Sequence, residues 1–73
     1  MPSLADRIYD DLVRRLDSGE WAPGERLPRI RELREHYREL FGASEQPLAL
    51  ALDRLRREGR IVGRRGSGMF APE

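Results

Sequence analysis

SEQPLALALDRLRREGRIVGRRGSGMF, residues 44–70, is the stretch whose reading decides the fold. It holds two kinds of pattern. Leu48, Ala51, Leu52 and Leu55 recur at the three-and-four spacing of one helix face. Ser44 stands where an N-cap belongs, and Pro47 falls in the first turn, where a missing N–H costs nothing. Gly59 is a helix stop. Beyond it the period changes. Arg60-Ile61-Val62 reads as a short strand, Gly63-Arg64-Arg65-Gly66-Ser67-Gly68 as a glycine-punctuated hairpin tip, and Met69-Phe70-Ala71 as the returning strand.

Upstream, Leu27-Pro28 opens a helix with Ile30, Leu33, Tyr37 and Leu40 or Phe41 on one face and Gly42 at its end. Trp21-Ala22-Pro23-Gly24 before it reads as a tight turn. The first helix carries Leu4, Ile8, Leu12 and Leu16 at every fourth position, with Val13 beside them. Ser3 caps it, Asp6 completes an acidic capping box, and Ser18-Gly19 ends it. The expected order is helix, helix, helix, strand, strand, an α+β chain forming a single domain over residues 1–73.

A chain of 73 residues supports one modest core. Without cysteine it has neither disulfides nor thiolate metal sites. No apolar run is long enough to cross a bilayer, and Met1-Pro2-Ser3-Leu4-Ala5-Asp6 lacks the character of a signal peptide, so a cytoplasmic location is expected. Nothing assembles an active site. His36 is the single histidine, and Asp10-Asp11 reads as a solvated acidic pair. Gly63-x-x-Gly66-x-Gly68 is followed by no helix, so it is not a dinucleotide fingerprint. No catalysis, cofactor or metal is expected.

The net charge is only +1, but the charges are unevenly spread, and every basic residue is arginine. Asp6, Asp10, Asp11 and Asp17 fall in the first helix. Arg54, Arg56, Arg57, Arg60, Arg64 and Arg65 face one acid, Glu58, in the last third, and Arg26, Arg29, Arg31 and Arg34 cluster mid-chain. Such asymmetry is the footprint of a polyanion-binding face. With its apolar stripe buried, the third helix leaves the face that starts at Ser44-Glu45-Gln46 free, and the major groove of B-form DNA admits a helix presented that way. Arg64 and Arg65 on a narrow tip suit phosphates or the minor groove.

Several strings, in order, resemble the DNA-binding half of the GntR family of bacterial regulators. These are Ser18-Gly19-Glu20-Trp21-Ala22-Pro23-Gly24-Glu25-Arg26-Leu27-Pro28, then Arg31-Glu32-Leu33, then Ala51-Leu52-Asp53-Arg54-Leu55-Arg56-Arg57-Glu58-Gly59, and the wing pattern of Arg64, Gly66, Gly68 and Phe70. The resemblance runs from about Leu4 to Phe70. It implies a winged helix-turn-helix, three helices followed by a two-stranded wing, that binds double-stranded DNA as a transcription regulator, usually a repressor acting as a homodimer on a palindromic operator. It also implies DNA contacts at Arg31, at Ser44 with Glu45 and Gln46, and at Arg64, Arg65 and Gly66. Arg29 is added as a backbone contact beside Arg31.

Three departures stand out. The second helix is longer than the family's by about one turn, Arg34 to Phe41 intervening before Gly42. The third helix opens with Ser44-Glu45-Gln46-Pro47 where the family has Ser/Thr-Arg-x-Thr. Glu45 could accept from cytosine N4 and Gln46 could pair with adenine, while a glutamate near phosphates repels them. Family members continue into a ligand-sensing domain, and no small-molecule effector domain is expected within these residues. Leu50 falls off the apolar stripe, and a core repacked around the longer second helix is the preferred account of it over a protein contact. Glu45, Pro47 and Leu50 keep a rival reading open, a winged-helix protein-interaction module, antitoxin-like or adaptor, with weak or no specific DNA binding.

Overall fold

A computed structural model describes all 73 residues. It contains α1 (Leu4–Asp17), α2 (Ile30–Phe41), α3 (Glu45–Arg57), β1 (Val62–Arg64) and β2 (Gly68–Phe70). The three helices and the antiparallel hairpin follow one another in the expected order. The Ser3 hydroxyl accepts from the Asp6 amide at 3.1 Å, and the Asp6 carboxylate accepts from the Ser3 amide at 3.3 Å, closing the capping box. Gly42 ends α2 at φ 66°, a left-handed conformation that favours glycine.

α1 lies against α3, and this is the main helix–helix contact. Ile8 and Leu12 enter the core from α1, Leu33 and Tyr37 from α2, and all four stripe residues, Leu48, Ala51, Leu52 and Leu55, from α3. Leu27, Ile61 and Met69 close it from the loops and the wing.

The structure moves several boundaries. α2 starts at Ile30, not at Leu27-Pro28. A residue before proline is held extended, so Leu27 joins the sheet instead of the helix. Its amide donates to the Met69 carbonyl at 2.8 Å, and the Ala71 amide donates to the Glu25 carbonyl at 2.8 Å. Arg26 bridges Phe70, so residues 25–27 flank the hairpin as a rudimentary third strand. β1 starts at Val62, not Arg60, because the Arg60 amide still donates to the Leu55 carbonyl of the helix end. The hairpin tip narrows to Arg65-Gly66-Ser67, and Arg64 becomes a strand residue opposite Gly68. Trp21, expected only as part of a turn, is buried, with the Arg15 guanidinium 4.6 Å from its ring centroid.

On α2, the face that meets the core is Leu33, Tyr37 and Phe41; Ile30 and Leu40 are about half exposed. Leu50 is 55% exposed, so the core does not repack around it. The end of α2 goes elsewhere. Phe41 stacks on Tyr37 and lies under the Arg7 guanidinium of α1, away from Leu50.

The Asp10-Asp11 pair is not a solvated pair. Asp11 lies three residues after Ile8 on the inward side of α1 and is buried. It accepts from the Tyr37 hydroxyl at 2.7 Å and pairs with Arg14. Arg15 donates to the same hydroxyl at 3.2 Å and to Glu20 at 2.6 Å. Burial, then the bond to Asp11, pushes the Tyr37 phenol well above its usual value, and Arg15 holds the Glu20 carboxyl below the usual carboxylate range. This network ties α1 to α2 where apolar packing is thin. Tyr37→Phe leaves the buried Asp11 oxygen without its α2 donor. It should cost about 1–3 kcal/mol and lower Tm by roughly 5–15 °C in a thermal melt. A melt indistinguishable from the parent would show that the hydroxyl contributes nothing.

Candidate nucleic-acid interface

The basic residues sort into two sets. Arg14, Arg15, Arg34, Arg54, Arg57 and Arg60 each have a carboxylate within 4 Å. Arg54, for example, reaches Glu58 at 3.3 Å and Asp6 at 3.7 Å and lies 3.8 Å from the Tyr9 ring centroid, which commits it to α1. The Tyr9 hydroxyl also donates to Glu58. The run from Arg54 to Arg65 is therefore not one cationic face. Arg54, Arg57 and Arg60 are neutralised by Glu58, Asp53 and Asp6, and Arg56, Arg64 and Arg65 have no acid partner.

Of the arginines with no carboxylate within 4 Å, Arg7 on α1 lies over the Phe41 ring and Arg38 is in the last turn of α2; the others belong to the start of α2, the end of α3, and the wing with the segment bridged to it. Arg29 is the N-cap residue of α2 and Arg31 its second residue, and both are exposed. Arg26 lies on the strand-like segment bridged to Phe70, with its guanidinium 5.6 Å from that ring centroid; Arg64 flanks the same ring at 5.0 Å. Arg65 and Gly66 occupy the wing turn, where Gly66 takes φ 76°. An open cleft of about 320 Å³ lies between Arg26–Ile30 and Gly66–Met69, so the wing turn and the start of α2 share its walls. Arg56 comes from the far end of α3, its Cδ 3.5 Å from where a Cβ on Gly63 of β1 would lie. It also lines a smaller cleft, about 150 Å³, with Ile30, Glu45 and Ala49. The largest cleft, about 410 Å³ between Leu16, Trp21, Gly59 and Pro72, holds one cation, Arg60, already paired with Glu58.

The sequence-expected residues come from three elements, Arg29 and Arg31 from the start of α2, Glu45 and Gln46 from α3, Arg64 to Gly66 from the wing, and Arg29 and Gly66 line one cleft. Ser44 is at the N-cap of α3, but its side chain makes no capping bond. Glu45 is 3.5 Å from Arg34 of α2, so the carboxylate has a cation beside it. The sequence reading placed Arg26 and Arg56 in its two arginine clusters but did not single them out as candidate contacts. Arg26 was legible as the residue before Leu27-Pro28, had that segment been read as a strand. Nothing local separates Arg56 from Arg54 and Arg57; only the packing of α3 does.

Three helices followed by an antiparallel hairpin that carries Arg64 and Arg65 make the molecule a winged helix-turn-helix domain. The comparisons agree. The model of "Bacterial regulatory proteins, gntR family" matches residues 4–71, and the chain belongs to that family. It is therefore a DNA-binding domain of transcription regulation and not an enzyme. Among solved structures, the N-terminal domain of AraR, crystallised in complex with mutant ORR3, superposes with a TM-score of 0.84 at 20% identity, over 97% of this chain and 96% of that one. A protein described as a GntR-family transcriptional regulator gives 0.81 at 31% identity, over 97% of this chain and 26% of that one. YydK of Bacillus subtilis, described as a possible transcriptional regulator, gives 0.75 at 22%, over 99% of this chain and 30% of that one. The chain spans about a quarter to a third of the length of the last two. The comparison with curated proteins finds no match. No helix is long and apolar enough to cross a membrane.

Proposed function

We propose that this domain binds operator DNA sequence-specifically and represses transcription, with α3 in the major groove and the wing on the adjoining backbone or minor groove. Arg29, Arg31 and Arg56 hold phosphates on either side of α3, and Arg26, Arg64 and Arg65 hold those beneath the wing. Ser44, Glu45 and Gln46 face the bases, and Gly66 lets the wing backbone approach closely. Two copies bind the two halves of a palindrome. The observation that carries this reading is the sorting of the arginines: six of those without an acid partner, Arg26, Arg29, Arg31, Arg56, Arg64 and Arg65, lie on or beside the wing, the start of α2 and the end of α3, where two clefts meet at Ile30, while Arg54, Arg57 and Arg60 are held by carboxylates.

A salt titration of binding to random duplex DNA tests it. Each neutralised phosphate adds about −0.9 to the slope of log affinity against log salt, so the unpaired arginines support a slope of about −3 to −5 per copy. Affinity that does not change with salt, or no binding at low salt, would remove the DNA-binding reading. The exposed Leu50 favours the second reading, a protein-docking module, and the absence of DNA binding would bring it forward.

A further inference from the structure

The residues that line the open face of α3 specify what this helix can read. Its first arginine, Arg54, is committed to α1. The first unpaired one, Arg56, lies ten residues after Gln46, about 15 Å along the axis, and sits beside the wing. The opening turns therefore have no free guanidinium to make the bidentate contact with guanine O6 and N7. Asp53 is paired with Arg57 at 3.1 Å, and Arg34 counters the charge of Glu45. Gln46 and Ala49, both exposed and three residues apart on one side of the helix, have no such partner, and the exposed Leu50 points about 100° away from Ala49.

Ala49 borders the cleft of about 150 Å³ whose apolar walls include Ile30, Leu48 and Leu52. Ile30 is 46% exposed there, between two unpaired arginines, Arg29 and Arg31. The charged walls of the recess are the unpaired Arg56 and Glu45, whose charge Arg34 counters, and an apolar recess beside a free cation fits an apolar group carried on a polyanion. In the major groove that group is the thymine C5-methyl, and the partner adenine offers the N6–N7 pair that a glutamine amide matches.

Resting on the reading of the chain as a DNA-binding domain, we propose that α3 reads an A·T-bearing step, with Gln46 on the adenine edge and Ala49 seating the thymine methyl in the recess beside Ile30.

The test starts with selection from a randomised duplex pool by the 73-residue chain and, in parallel, by Gln46→Ala. The position at which the variant loses its preference is the pair that Gln46 contacts, and an A·T pair is expected there. Replacing its thymine by deoxyuridine removes one methyl and nothing else. The dissociation constant should rise about fourfold, the equivalent of ~0.8 kcal/mol for one buried methyl-sized group. Gln46→Ala should weaken the selected site at least about fivefold while its thermal melt stays unchanged, since the side chain is exposed. A G·C pair at the relaxed position, or no change with deoxyuridine, would overturn the proposal. So would binding of undiminished salt dependence with no enriched sequence, which leaves the DNA-binding reading standing. Loss of all salt-dependent binding by the parent chain would instead bring down that reading and this one together.

Discussion

Alanine at both Arg64 and Arg65 should lower affinity for duplex DNA on the order of 100-fold at low salt and make the salt slope shallower by about 2. Both residues are exposed and neither has a carboxylate within 4 Å, so each guanidinium is free for a phosphate, and two charge-assisted contacts are lost together. The two side chains are not equivalent. Arg65 sits in the wing turn; Arg64 lies on β1, with its guanidinium 5.0 Å from the Phe70 ring centroid. An exposed cation–π contact is worth about 0.5–1 kcal/mol, so the double variant should melt only a few degrees below the parent. Binding followed by fluorescence anisotropy across a salt series, beside a thermal melt, separates the two effects. An unchanged slope in a folded variant would mean that the wing does not touch DNA and that the arginines of α2 and α3 hold the backbone by themselves.

Leu55→Ala should cost about 2–5 kcal/mol. Leu55 is fully buried on the inward stripe of α3, in the core cluster that Ile8 and Leu12 enter from α1. A domain of this length is stable by only about 4–11 kcal/mol, so the variant should lose at least about 10 °C of Tm and is expected to be partly unfolded at physiological temperature. Leu50→Ala is the informative contrast. The side chain has the same size and lies on the same helix, but it is 55% exposed, and its loss should change stability by no more than about 0.5 kcal/mol. Equal losses at the two positions would mean that Leu50 is buried in solution, as it would be in a core repacked around α2. Chemical denaturation of the two variants side by side decides between these outcomes.

The elements were legible in the sequence because their signals are short in range. The stripe Leu48, Ala51, Leu52 and Leu55 repeats within one or two helical turns, and it is buried as read. The capping box of Ser3 and Asp6 spans three residues and formed as read. Boundaries failed where a distant segment competed for the backbone. Leu27 was taken from α2 by a hydrogen bond to Met69, more than forty residues away, once Pro28 had made the helical conformation costly. Asp11 misled for a similar reason. On its own helix it is one of several acids, and only the Tyr37 hydroxyl, 26 residues on, shows why it is buried.

The site divides in the same way. By itself the sequence determined the helix order, the wing, the family pattern and the candidates Arg29, Arg31, Gln46, Arg64 and Arg65, since each depends on local periodicity or on a short motif. It could not separate free arginines from spent ones. Arg54, Arg56 and Arg57 are near neighbours of identical chemistry, yet α3 turns about 100° per residue, so they face α1, the wing and solvent in turn. Which of them meets a carboxylate depends on how α1 packs across α3, a long-range apolar contact that places Asp6 beside Arg54 and leaves Arg56 beside Gly63 with no acid partner. Tertiary structure alone made that choice, because an ion pair forms over a few ångströms of space whatever the separation along the chain.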